Sequence, residues 1–109
     1  MRILRFKVDD QIITRDPDCD FSNLVPGTEG YLQAEFSFSK EWVGSTKVAA
    51  FYSKLGKEYT PQVLKDGRTC IIPAEACAKR DFFIRVVGKR GGYKIVTNKV
   101  EVNQTGGKV

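Results

Sequence analysis

The chain has 109 residues, 41% apolar and 28% charged, which is the make-up of one globular domain and excludes a disordered or collagen-like polymer. Its 18 Lys and Arg outweigh 13 Asp and Glu, giving +5; that excludes an acidic mimic of DNA and permits nucleic acid or an acidic protein surface as partner. There is no His, which removes the commonest general base, the usual zinc nitrogen ligand and the switch near neutral pH, and so disfavours hydrolase and metalloenzyme chemistry.

Taken in chain order, alternation with a period of two dominates. Leu4, Phe6 and Val8 share one face and Arg5 and Lys7 the other, which reads as a strand with one wet side. Asp9-Asp10 then turns the chain into Gln11–Thr14, a hairpin. Asp16-Pro17-Asp18 and Pro26-Gly27-Thr28 are punctuation, and Phe21, Leu24 and Val25 between them read as a loop or edge strand against the core. Tyr31–Phe38 is the clearest strand, with Leu32, Ala34, Phe36 and Phe38 on its apolar face. Ser39–Gly44 breaks the pattern as a loop or one helical turn, and Trp42 within it is expected between the sheets. Val48–Tyr52 is apolar enough for a central strand.

Leu55-Gly56-Lys57 turns the chain back into Tyr59–Leu64, where Pro61 marks an edge or a bulge. Lys65-Asp66-Gly67-Arg68 carries an Asp-Gly hairpin signal with Thr69–Ile72 as the returning strand. Pro73–Lys79 is the one helical candidate, a turn or two. Phe82–Val87 is a buried strand, Lys89-Arg90-Gly91-Gly92 a basic hairpin tip, and Tyr93–Val96 its partner. Val100 and Val102 alternate with polar residues in a last strand. Eight or so short strands with frequent turns give an all-β architecture, a β-sandwich or else a small barrel, over residues 1–103, followed by a tail over 104–109.

The odd number of cysteines, Cys19, Cys70 and Cys77, rules out a complete internal disulfide set, and free thiols are expected. The start of the chain lacks the apolar run of a signal peptide, and no stretch approaches the roughly 18 apolar residues of a membrane span. Synthesis in a reducing cytoplasm and no membrane partner follow as expectations.

Few groups invite chemistry. No Ser-x-x-Lys or Gly-x-Ser-x-Gly occurs, so no activated nucleophile is apparent and no catalytic residue is assigned. Asp16, Asp18 and Asp20 alternate as calcium ligands do, but Phe21 stands where such a loop needs Gly, and a solvated turn is the plainer reading; no metal or cofactor is expected. Lys89 and Arg90, with Arg85, Lys94 and Lys99 nearby in sequence, could touch phosphates, yet no aromatic stacking pattern accompanies them.

An ordered set of residues resembles a known family. Phe38-Ser39 with Trp42 and Gly44, then Lys47, Ala49 and Phe51, then Cys70, Ile72-Pro73 and Glu75, and finally Thr97-Asn98 with Val100 and Val102, resemble small immunoglobulin-like virion domains of tailed phages. These are similar to the amino-terminal part of baseplate upper proteins and to fibre or capsid decoration proteins. The resemblance covers roughly Leu4 to Val102. It implies an immunoglobulin-like antiparallel sandwich of about seven to eight strands with one short helical turn. It also implies a structural, non-enzymatic role in the virion, on capsid or baseplate, with phage structural proteins as partners in multiple copies. In that family a stalk follows the sandwich; here the chain stops after Gly106-Gly107, as expected of a docking module alone or of a whole small virion protein. The matching residues are mostly of core and turn type, so the resemblance carries a fold and no active site. The alternative is a phage-encoded inhibitor or host-interaction protein that binds a bacterial protein or nucleoprotein, suggested by small size and positive charge.

Overall fold

Nine short strands, a single 3-10 turn and one short helix make up residues 1–106, the part of the chain that the computed structural model describes. The strands are β1 (Arg2–Asp9), β2 (Ile12–Arg15), β3 (Leu32–Phe38), β4 (Thr46–Ser53), β5 (Gln62–Val63), β6 (Thr69–Ile71), β7 (Asp81–Arg90), β8 (Tyr93–Val96) and β9 (Val100–Asn103). Sheet A runs β2-β1-β3-β6. Sheet B runs β5-β4-β7-β8, with β9 pairing the other half of β7. Alternation dictates what lies between them. Leu4, Phe6 and Val8 from β1, Leu32, Ala34 and Phe36 from β3, and Phe82, Ile84 and Val86 from β7 are all buried in one cluster. This is an all-β sandwich.

Trp42 joins the two layers. The 3-10 turn Lys40–Trp42 drops the indole into the core, fully buried. Its Nε1 donates to the Asp10 carbonyl at 2.7 Å, at the β1–β2 turn of sheet A. Its six-membered ring lies against Gly88 of sheet B, where an added Cβ would come within 2.8 Å of it. Gly88 thus has no side chain because the tryptophan occupies that space. Phe38 packs beside the indole at 5.2 Å between ring centres. A large ring with one satisfied polar handle is what the join requires.

One side of the sandwich is stitched. Asn98 Oδ1 accepts from Ile13 N at 2.8 Å, Asn98 N donates to Gln11 O at 3.1 Å, and Gln11 Nε2 donates to Val96 O at 3.1 Å. Thr97 fills the break between β8 and β9: its Oγ1 accepts from Val86 N at 3.0 Å, and its own N donates to Val86 O at 3.1 Å. On the other side, the ends of β5 and β6 are joined at the turn between them, where Lys65 N donates to Thr69 O at 2.6 Å and Thr69 N to Lys65 O at 3.1 Å.

Four expectations change. The sandwich is not purely antiparallel, because β1 and β3 pair in parallel. Positions 16–31 are long enough to cross from β2 to the far side of β1, which a parallel neighbour requires, and Leu24 is buried on the way. Second, Asp66 (φ 53°) and Gly67 (φ 68°) form the expected tight turn, but the strands on either side join different sheets. β5 pairs with β4 and β6 with β3, so the turn links the two layers across an open edge. Third, Pro73 is the N-cap of the helix and not its first residue, while the helix itself, Ala74–Cys77, is a single turn within the expected length. Fourth, the domain does not end at 103. Gln104 is 1% exposed; its Nε2 donates to the carbonyls of Cys77 (2.9 Å) and Lys79 (2.7 Å), and its N to Arg80 O (2.6 Å). Gly106 N donates to Leu24 O at 2.8 Å. A tail beginning at 104 would remove these donors from the Lys79 and Arg80 carbonyls, while Cys77 O would keep Gly27 N at 2.8 Å. The remainder of that expected tail, 107–109, lies outside the described residues.

Candidate functional site

The two outer faces of the sandwich are built differently. On sheet A the outward residues are mostly polar: Arg5 and Glu35 sit opposite one another and pair at 2.9 Å, Lys7 lies opposite Ser37, and the outward Ile3, Ile12 and Ile71 are separate, none being the cross-strand partner of another. Sheet B turns an apolar row outward. Val63, Val48, Val87 and Val96 are successive cross-strand partners on β5, β4, β7 and β8, so the register sets four valines in one line across the sheet. Val63 ends the row at the edge, 68% exposed, and the other three are half-buried.

Beyond the row the same face is cationic. Arg85 lies over the Tyr52 ring at 5.6 Å and Lys99 over it at 3.9 Å. Two cations on one ring at close range create a local positive field. The single ion pair among the described residues is Arg5–Glu35, on the opposite face.

The edge beside Val63 is short. Leu64 N donates inward to Lys47 O, so by antiparallel alternation the N–H and C=O of Val63 point away from β4. Across the gap, Ile72 N is bonded to Leu32 O, which turns the backbone of Ile71 outward as well. Ile71 and Val63 thereby line a groove of about 330 Å³ between the two unpaired edges. Pro61 stands just before β5, at an edge as expected.

The basic hairpin tip is tied down in part. Arg90 Nη1 donates to Val43 O at 2.9 Å and Tyr93 Oη to Glu41 O at 2.6 Å, so Arg90 braces the 3-10 turn. Lys89 and Lys94 face each other on β7 and β8, both exposed. Lys94 stands apart from the Tyr52 pair formed by Arg85 and Lys99.

No family model, curated protein or solved structure matches this chain.

Two of the three carboxylates at Asp16, Asp18 and Asp20 are taken up by neighbours along the chain. Asp16 Oδ1 accepts from Asp18 N at 2.9 Å, and Asp20 Oδ1 accepts from Ser22 N (2.8 Å) and Ser22 Oγ (2.6 Å). The bonds from Ser22, side chain foremost, hold the Asp20 carboxyl below its ordinary value. Among the described residues no three His, Cys, Asp or Glu side chains converge as a metal site.

All three thiols are unbridged. Burial pushes Cys70 up to about 12 and also raises Cys77. Buried, protonated thiols of this kind are poor nucleophiles. The residues behind the family resemblance turn out to be structural ones: Ser39 Oγ accepts from Asp10 N at 2.9 Å, Lys47 lies over Phe38 at 5.3 Å, and Glu75 accepts from Thr60 N at 3.3 Å. The valine row went unnoticed in the sequence because its members lie on four separate strands. Only register brings them into line.

Proposed function

We propose that this chain is a non-enzymatic structural protein of a phage particle, an immunoglobulin-like docking or decoration module on the capsid or baseplate. In this reading it is made in the cytoplasm of a bacterial host and assembled in multiple copies onto other phage structural proteins. The observation that carries the reading is the valine row on the outer face of sheet B, which ends at exposed Val63 beside an unpaired edge. An apolar stripe next to free backbone donors and acceptors suits a neighbouring protein surface, which can cover the valines and extend the sheet. The sequence resemblance supplies the kind of neighbour.

Mass spectrometry of particles purified from the bacterium that carries the gene tests this directly. The expected result is the chain at a copy number that is a multiple of the particle's symmetry. Particles free of the chain, with the chain recovered instead on a host protein, would replace this reading with that of a host-interaction protein. Binding to duplex or single-stranded nucleic acid that is tight, falls steeply with salt and is lost on Lys89→Glu with Arg90→Glu would also contradict it.

A further inference from the structure

At the end of the sandwich far from Trp42, β4 closes into a tight turn. Ser53 N donates to Lys57 O at 2.8 Å, Lys57 N to Ser53 Oγ at 3.0 Å, and Gly56 N to Ser53 O at 3.0 Å. Gly56 takes φ 94°, a conformation that side chains disfavour, and so lets the turn close. The tip this fixes is Leu55, 97% exposed. Facing it is the segment Lys79–Asp81, itself held in place by Gln104 through the carbonyls of Lys79 and Arg80. Between turn and segment runs a groove of about 470 Å³, with Tyr59 at its base.

The charges around this groove are unbalanced. Lys54 and Lys57 stand on one lip, and Lys79 and Arg80 on the other. All four are exposed, and none makes an ion pair among the described residues. The one carboxylate on the lining, Asp81, accepts a hydrogen bond from Asn103 Nδ2 at 2.7 Å. Glu58, on the same turn, does not line the groove. A pre-formed apolar slot between two cationic lips attracts a ligand with an apolar body and anionic flanks.

We propose that this groove binds an acidic, extended peptide segment of a partner protein through one apolar side chain. The apolar side chain packs between Leu55 and Tyr59. Carboxylates before and after it meet Lys54 and Lys57 on one side and Lys79 and Arg80 on the other. The concave shape favours an inserted side chain over a flat lipid surface, against which the two lips could not both close on one group. The site is separate from the valine row and gives the partner's chemistry without requiring that the partner be a phage protein.

The test is a heteronuclear NMR titration of the whole chain with a short synthetic peptide that has Leu-Trp at its centre and Asp and Glu on both flanks. A version with Lys in place of the acidic residues, and vesicles of equimolar phosphatidylcholine and phosphatidylserine, serve as comparisons. Shifts are expected at 53–59 and 79–81 with the acidic peptide alone. Leu55→Ser, and Lys54→Glu with Lys57→Glu, should each weaken binding by about tenfold or more, because they remove the anchor contact and reverse the steering charge. These positions are exposed, so the variants should melt like the parent; Val63→Lys should leave the titration unchanged. No shift at millimolar acidic peptide, equal shifts with the lysine version, or association with the vesicles in place of the peptide would overturn the proposal. The particle-docking reading would survive each of those outcomes, since it rests on the valine row.

Discussion

The outer faces of sheets A and B come from strands of similar length with similar alternation, yet only sheet B turns a continuous apolar row outward. On sheet A the outward positions of the paired strands β1 and β3 hold Arg5, Lys7, Glu35 and Ser37, and one cross-strand ion pair. On sheet B the outward positions hold the four-valine row, then Tyr52 beneath Arg85 and Lys99. A sheet with one face in the core and one in water should show apolar residues on one side only. Sheet A departs from it at Ile3, Ile12 and Ile71, but none of these is the cross-strand partner of another. Sheet B breaks it along a continuous line of four cross-strand partners. Departures from local rules concentrate where function imposes them.

The largest expected effect removes the frame on which both faces stand. Trp42→Ala should cost about 3–5 kcal/mol in a denaturant titration, because the indole fills the space over Gly88 and satisfies the Asp10 carbonyl. A cost below about 1 kcal/mol would show that the sheets hold their spacing without it. Next comes Gln104→Ala, which strips hydrogen bonds from two carbonyls and should cost about 1–3 kcal/mol. Deleting 104–109 without loss of stability would restore the earlier domain boundary.

The thiols sharpen the contrast between interior and surface. Cys70 is held protonated up to about 12 against an ordinary value of 9.0. Below pH 9 the thiol is protonated in both folded and unfolded chains and contributes no pH dependence. Above it the unfolded chain releases the proton and the folded chain does not, so stability should fall as pH rises from 9 towards 12. Melting temperature against pH checks this, and Cys70→Ala should flatten that part of the decline. In the native chain at pH 8 a thiol reagent should label Cys19, which is half-exposed, ahead of the two buried thiols.

The smallest effect lies on sheet A. A double-mutant cycle on Arg5 and Glu35 should give a coupling of about 0.2–1 kcal/mol, as exposed pairs do. A much larger value would mean that this face is not simply solvated.

Alternation made much of the fold readable. It placed Leu4, Phe6 and Val8, and Leu32, Ala34 and Phe36, in the core, and ring size with its neighbours placed Trp42 there. The Asp66-Gly67 turn was legible from the φ values those residues tolerate. What lay beyond reach depends on long-range geometry. A turn signal states that the chain reverses and not which sheet receives the next strand, so the division of β5 and β6 between layers was hidden. The parallel pairing of β1 and β3 follows from the path of positions 16–31, which has no periodicity to read. Gln104 is polar and flanked by Thr105-Gly106, the composition of a tail, and its burial is set by carbonyls at Cys77 and Lys79. The valine row needs the register of four strands, and the groove at Leu55 needs the approach of Lys79–Asp81.

The central claim is that the outer face of sheet B meets a partner in the assembled particle while that of sheet A meets water. Hydroxyl-radical footprinting of the chain, isolated and within purified particles, tests it most directly. The account predicts strong protection in the particle at Val63, with Ile12 and Lys7 unchanged. Protection at Ile12 and Lys7 with Val63 still reactive would contradict it.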